Sequence, residues 1–221
     1  MFIGHYAAAL AAKRMAPKTS LGTFVLGATF LDLLFPMLVM AGLEHLRIVE
    51  GITVMMPLDL YDYPLSHSLA ACLLYAVLAG GVYFAVKRYM PGALAVALCV
   101  LSHWILDLIS HRPDLPLYPG SGTTLGLGLW NSPAGSIGVE AGLFVAGVWL
   151  YAASTKAADR TGRYSFWALA AFLSVLYVLD LFSPPPPDIQ AFAWVGLSGW
   201  LLVLWAAWAD RHRTMRALPS T

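Results

Sequence analysis

The sequence predicts an all-α fold: a polytopic membrane helix bundle of about six transmembrane helices, preceded by a short N-terminal half-helix. Three observations carry that expectation. Of the 221 residues, 59% are hydrophobic and only 11% charged, with a mean hydropathy of +0.71. Ordinary globular chains are about a quarter charged, so this chain has under half the usual means of covering a water-facing surface. Six apolar runs reach the roughly 17–25 residues that cross a bilayer. The basic residues fall between those runs in alternate gaps. The same composition excludes a soluble enzyme and a disordered linker. With 13 Lys+Arg against 12 Asp+Glu, the net charge of +1 offers nothing for a nucleic acid.

The chain reads as one integral membrane domain over 1–221, and its elements follow in order. Residues 2–14 form an apolar helix too short to span, expected to lie in the interface or dip inward. Its positive charges follow the apolar stretch, the reverse of a cleavable signal, so it is expected to stay in the mature protein. Spanning helices are expected at 21–41, 65–86, 92–110, 136–153, 164–182 and 190–209. Cys72 and Cys99 lie inside these runs and read as small packing residues. The run Pro184 to Pro187 closes the fifth spanning helix with an extended exit.

Charge placement predicts the orientation. With Lys13, Arg14 and Lys18 cytoplasmic, 11 of the 13 basic residues fall inside, leaving Arg47 and Arg112 outside. A bacterial inner membrane with a cytoplasmic C-terminus is the expected setting. Two long outer segments, 42–64 and 111–135, are candidate lids or binding walls. Glu44, His45, Asp59 and Asp62 read as surface residues of the first, and Trp130 as an interfacial anchor in the second. Trp149, Trp167 and Trp208 are expected to anchor the inner face, and Asp180 has no evident partner.

Ionisable groups inside spans cost about 2.5–3.5 kcal/mol each on insertion scales and therefore need a reason. Asp32 lies within the first spanning run, His67 opens the second, His103 and Asp107 sit in the third, and Glu140 near the start of the fourth. His103 and Asp107 are four apart and share a helix face, with His111 two turns on in line and Asp114 in the following loop. Asp32 is 14 residues from Lys18, about 20 Å along a helix, so it reaches the outer half with the others. A dipping half-helix brings His5 near them. Histidine with carboxylate is the donor mixture of Zn²⁺, with Mn²⁺ and Fe²⁺ as alternatives. Six ligands, His5, Asp32, His67, His103, Asp107 and Glu140, exceed the needs of one tetrahedral ion. Two ions bridged by Asp32 or Asp107 would use them all.

The bland readings stay open beside this one. His103 and Asp107 can neutralise each other in a helix bundle, and Asp32 can serve as a proton-relay carboxylate. Glu140 can be a carboxylate near a helix N-terminus capped by Ser136. His111, Arg112 and Asp114 can be supporting or substrate-binding groups, or simply the solvated start of a loop.

Gly4-His5, the Asp of the first long helix, Ser-His-Ser at 66–68, Ser-His-x-x-x-Asp at 102–107 and Glu140 together resemble the bacterial membrane-bound metal-dependent hydrolases. That group's ligand pattern is similar to that of zinc-dependent phospholipase C. The resemblance covers roughly residues 1–145. A Pro-Asp-x-Asp-His tract common in the group is reduced here to Asp32, and its His-Arg-Gly-x-Thr-His-Ser to YPLSHS. Arg112 stands in for the missing arginine as a phosphate clamp.

The resulting expectation is a membrane-embedded metal-dependent hydrolase acting on a phosphoester or lipid-linked ester near the outer leaflet through a metal-activated water. Asp107 or Glu140 would orient that water, and Arg112 would hold an anionic head group. Membrane lipids are the expected surroundings and a lipid phosphoester the expected substrate class. Two alternatives use the same residues: a transporter with a proton or metal-ion relay, and a non-catalytic scaffold stapled by metal. A path to both faces marks the first of these, and a closed coordination shell marks the second. The oligomeric state is not legible.

Overall fold

In the computed structural model, which describes residues 1–216, eight α-helices carry most of the chain. They are α1 (Ile3–Met15), α2 (Leu21–Met40), α3 (Pro64–His67), α4 (Leu69–Lys87), α5 (Met90–Ser110), α6 (Pro133–Ser154), α7 (Arg160–Phe182) and α8 (Ile189–Arg211). All but α1 and α3 are long and apolar enough to cross a membrane, the mark of a multi-pass membrane protein. Three antiparallel strand pairs decorate the ends: β1 (His45–Ile48) with β2 (Leu58–Asp62), β3 (Leu115–Pro116) with β4 (Thr124–Leu125), and β5 (Thr155–Ala157) with β6 (Arg213–Met215).

Caps explain the boundaries. Ser20, Ser132, Asp159 and Asp188 accept backbone N–H groups in the first turns of α2, α6, α7 and α8. α6 therefore starts at Pro133, earlier than the expected 136, because Ser132 caps it and a proline fits its first position. Ser136 is not a cap; its hydroxyl donates to the Leu129 carbonyl at 2.7 Å. The single helix expected at 65–86 is two. Ser68 is extended at φ −69°, ψ 150°, and its hydroxyl accepts the Ala71 N–H to start α4 afresh.

The half-helix α1 is neither interfacial nor free. Most of it is buried among α2, α5 and α6, with only the end of its last turn exposed. Its alanines present little bulk, and Gly147 of α6 lets the two backbones meet. A Cβ at Gly147 would lie 2.8 Å from both Cα and O of Ala7. The helix ends where the basic residues cluster close around a buried ion pair. Lys13 Nζ donates to Asp210 Oδ2 at 2.7 Å and to the Thr19 carbonyl at 2.8 Å, while Tyr151 donates to Asp210 Oδ1 at 2.6 Å. Asp210 also accepts the Leu21 N–H, so every partner is engaged. This lock ties α1, α2, α6 and α8 together at the basic end.

At the opposite end the two long loops are structured. The β1–β2 hairpin meets the 111–135 loop through Arg112, which pairs with Asp59 and, at 3.2 Å from Nε, with Asp114. The latter loop folds back over the end of α5, Leu127 N–H donating to the Leu108 carbonyl and Gly128 N–H to that of His111. Gly126 is required there, because a Cβ would strike the Arg112 carbonyl.

Candidate metal centre

Four helices bring histidines and carboxylates together. α1 brings His5, α2 brings Asp32, α3 brings His67, and α5 brings His103 and Asp107. His103 Nε2 lies 3.0 Å from Asp107 Oδ2 and 3.5 Å from Asp32 Oδ1. His5 Nε2 lies 3.2 Å from Asp107 Oδ1 and 3.9 Å from Asp32 Oδ2. His67 Nε2 lies 3.5 Å from Asp32 Oδ1 and 3.9 Å from Asp107 Oδ2. Donors bound at ~2.0–2.2 Å to a single ion stand about 3.0–3.5 Å apart, so these separations fit a shared cation.

The proton positions sharpen the fit. His103 Nδ1 sits 2.7 Å from the Ala28 carbonyl, an acceptor only, so Nδ1 carries a hydrogen while Nε2 faces two carboxylates. His103 Nε2 and both ring nitrogens of His5 are buried with no hydrogen-bond partner. A ring nitrogen without a hydrogen is repelled by these carboxylates unless a positive centre, a proton or a metal ion, lies between them. Protonating both rings is a poor substitute, because His5 and His103 stack at 3.8 Å and 2°, and two imidazolium ions would then meet face to face.

His5, His103 and Asp107 form one possible donor group, and Asp32, His67 and His103 another. Both need His103, whose one free nitrogen serves one ion. The two groups thus share His103 as a common ligand. Burial separates their roles: His103 is 0% exposed, whereas the Asp32 side chain is 50% exposed and forms the open side of the cluster.

Other expected site residues are placed differently. Glu140 is not among the donors: its Oε2 accepts the Phe2 N–H at 2.8 Å and the Gly4 N–H at 3.3 Å. A half-helix starting inside the bundle has unpaired N–H groups with no water to meet them, and Glu140 supplies the acceptor. The Met1 amino group donates to Asp107 Oδ1 at 2.6 Å and to Ser110 Oγ at 3.2 Å. Arg112 does not reach toward the cluster as a phosphate clamp; Asp59 and Asp114 hold its guanidinium. His111 borders the cluster, its Nε2 3.8 Å from Asp107 Oδ1. Its Nδ1 is 2.9 Å from Asp114, Tyr63 donates to the same carboxylate at 3.0 Å, and Trp130 packs on the ring at 4.2 Å. Trp130 is therefore buried structure and not an interfacial anchor, whereas Trp149, Trp167 and Trp208 are exposed as anchors must be.

The residue most at odds with the sequence reading is Glu44. Expected on the surface, it is fully buried at 0% exposure. Its Oε1 accepts the Leu65 and Ser66 N–H groups, each at 2.7 Å, and its Oε2 accepts the Ser66 hydroxyl at 2.6 Å. Burial pushes its carboxyl up from the ordinary value, and these hydrogen bonds pull the other way. His45, paired with Asp62 at 2.8 Å, is exposed as expected. Nothing in the sequence separates Glu44 from the exposed Glu50 six residues on. Asp180 is exposed on α7, away from the cluster. No family model, curated protein or solved structure matches the chain, so the site stands on its own geometry.

Proposed function

We propose that the chain is a metal-dependent hydrolase of the bacterial inner membrane, acting on a lipid or lipid-linked phosphoester. The resemblance carried by the histidine and aspartate tags supports this reading. The observation that carries it is the half-exposed Asp32 in a cluster whose other members are buried. Structural metal sites are closed by their ligands, whereas catalytic sites keep an open position. His5, His67, His103, Asp32 and Asp107 would hold one divalent ion, zinc by donor type. When bound, such an ion lowers the pKa of a water and stabilises charge developing on a phosphoryl oxygen.

The chain's own residues do the rest. Asp32, on the open side, is placed to accept a hydrogen bond from an entering water. Asp107 anchors the His5 and His103 rings from the buried side. His111, oriented by Asp114 and Tyr63, is placed to hand a proton to a leaving oxygen. The positive-inside distribution supports a cytoplasmic placement of Lys13, Arg14 and Lys18, with the cluster toward the outer leaflet.

A relay through the membrane is disfavoured by what lies between the two polar ends. Tyr6, Leu10, Val25, Phe144, Phe166 and Leu169 pack there around a void of about 10 Å³. That is at the lower limit for a single water, and its lining offers no polar chain. The test is a phosphoester hydrolysis screen on lipid substrates with metal-loaded, chelated and His103→Ala protein. The proposal expects turnover by the loaded wild type alone, restored to the chelated wild type by added metal. Metal-loaded wild type that hydrolyses no phosphoester lipid would overturn it.

A further inference from the structure

Glu44 and Ser66 lie outside the donor cluster but connect to it. Gly42, at φ +69°, turns the chain after α2, and Glu44 then enters the space beneath α3. Its carboxylate occupies three donors, two backbone N–H groups of α3 and the Ser66 hydroxyl. Ser66 has one hydrogen. The 2.6 Å contact with Glu44 claims it over the weaker 3.4 Å alternative at the Tyr63 carbonyl. Ser66 Oγ therefore accepts from His67 Nδ1, 2.7 Å away. The hydrogen of the His67 ring is thereby placed on Nδ1, and the bare Nε2 faces Asp32 and Asp107. Phe35 and Tyr63 flank the ring at 5.5 and 5.1 Å, and the Trp104 indole N–H holds the His67 carbonyl at 3.0 Å.

We propose that the Glu44–Ser66 pair is a positioning device that sets the tautomer and orientation of His67 for metal ligation. The proposal rests on the metal-centre reading above. Histidine ligands commonly donate their second N–H to such an acceptor, and losing it lowers metal affinity roughly 10–100-fold. Here a hydroxyl stands between the ring and the carboxylate, so the direction of the chain of hydrogen bonds is what matters. Glu44→Gln tests that direction with little change of shape. Its amide oxygen can still accept the two backbone N–H groups, while its NH₂ faces Ser66. The Ser66 hydroxyl then turns toward His67 Nδ1 and moves the ring hydrogen to Nε2.

The experiment measures zinc affinity by chelator competition for wild type, Glu44→Gln, Ser66→Ala and His67→Ala, and for each of the first two changes combined with His67→Ala. Imidazole ¹⁵N NMR of the metal-free protein reads the His67 tautomer. The expected result is an Nδ1–H ring in wild type, an Nε2–H ring in Glu44→Gln, and at least a tenfold loss of affinity in both single variants. Combined with His67→Ala, neither change should lower affinity further. Wild-type affinity in Ser66→Ala and Glu44→Gln would overturn the proposal. So would a loss that persists undiminished in the His67→Ala background. A wild type with an Nδ1–H ring that binds no zinc would instead defeat the metal-centre reading on which the proposal stands.

Discussion

Glu140 shows how much one side chain's partner changes its meaning. A carboxylate near the start of a spanning helix reads equally well as a ligand or as a helix-end charge, and the structure gives it the start of α1. The two roles respond differently to substitution. Glu140→Gln keeps an acceptor oxygen for the Phe2 and Gly4 N–H groups, so zinc stoichiometry should be unchanged. Glu140→Ala leaves those donors unpaired and should cost about 1–3 kcal/mol in detergent unfolding. Zinc loss in the glutamine variant would restore the ligand reading. Lys13 offers the complementary case at the other end. Lys13→Met strands Asp210 in the core and should destabilise by about 3–5 kcal/mol with zinc content intact. The donor residues His5, Asp32, His67, His103 and Asp107 are legible from the sequence because ionisable groups in apolar runs are costly and these share one depth. Glu44 is not, because its burial depends on a turn after α2 meeting the start of α3, and neither segment is apolar or periodic enough to announce it.

The long helices were legible within a few residues, since each is an apolar run ended by Ser, Asp, Pro or charge. The break at Ser68 was not, because Ser-His-Ser interrupts no hydrophobic pattern; only the Ala71 cap shows that α4 begins anew. That break is what frees the His67 carbonyl for Trp104 and seats His67 over the cluster. The seat of α1 depends on packing, and Gly147→Ala tests it. The added Cβ would press on the Ala7 backbone, so a loss of about 1–3 kcal/mol is expected. Because α1 carries His5, zinc affinity should fall as well, and unchanged affinity would show that α1 and the site are independent. At the basic end Asp159 caps α7. The Gly162 N–H and His212 hold its carboxyl below the usual value of 3.8. A depressed carboxyl contributes stability above its unfolded value and loses it as pH falls through the folded one. The thermal midpoint of wild type should therefore drop below pH 3.8 more than that of Asp159→Ala, and parallel pH profiles would remove this contribution.

At the scale of the whole molecule, the bundle has two polar ends with an apolar middle. One end is a fully paired lock of Lys13, Asp210 and Tyr151, and the other is a cluster of bare imidazole nitrogens facing carboxylates. The contrast is chemical: the lock satisfies all its partners, while His103 Nε2 and both ring nitrogens of His5 are left without a hydrogen-bond partner. The charge distribution foretold that the basic residues and the histidine–carboxylate cluster would lie toward opposite ends of the bundle. It did not foretell that two possible donor groups would share His103, since that depends on α1 entering the core. The most direct test is metal analysis of the purified full chain after zinc reconstitution, for wild type, His103→Ala and Asp107→Ala. One bound zinc per wild-type chain, and none in either variant when all three are folded, is the expected result. A folded wild type that holds no zinc, or variants that hold as much as wild type, would contradict the account.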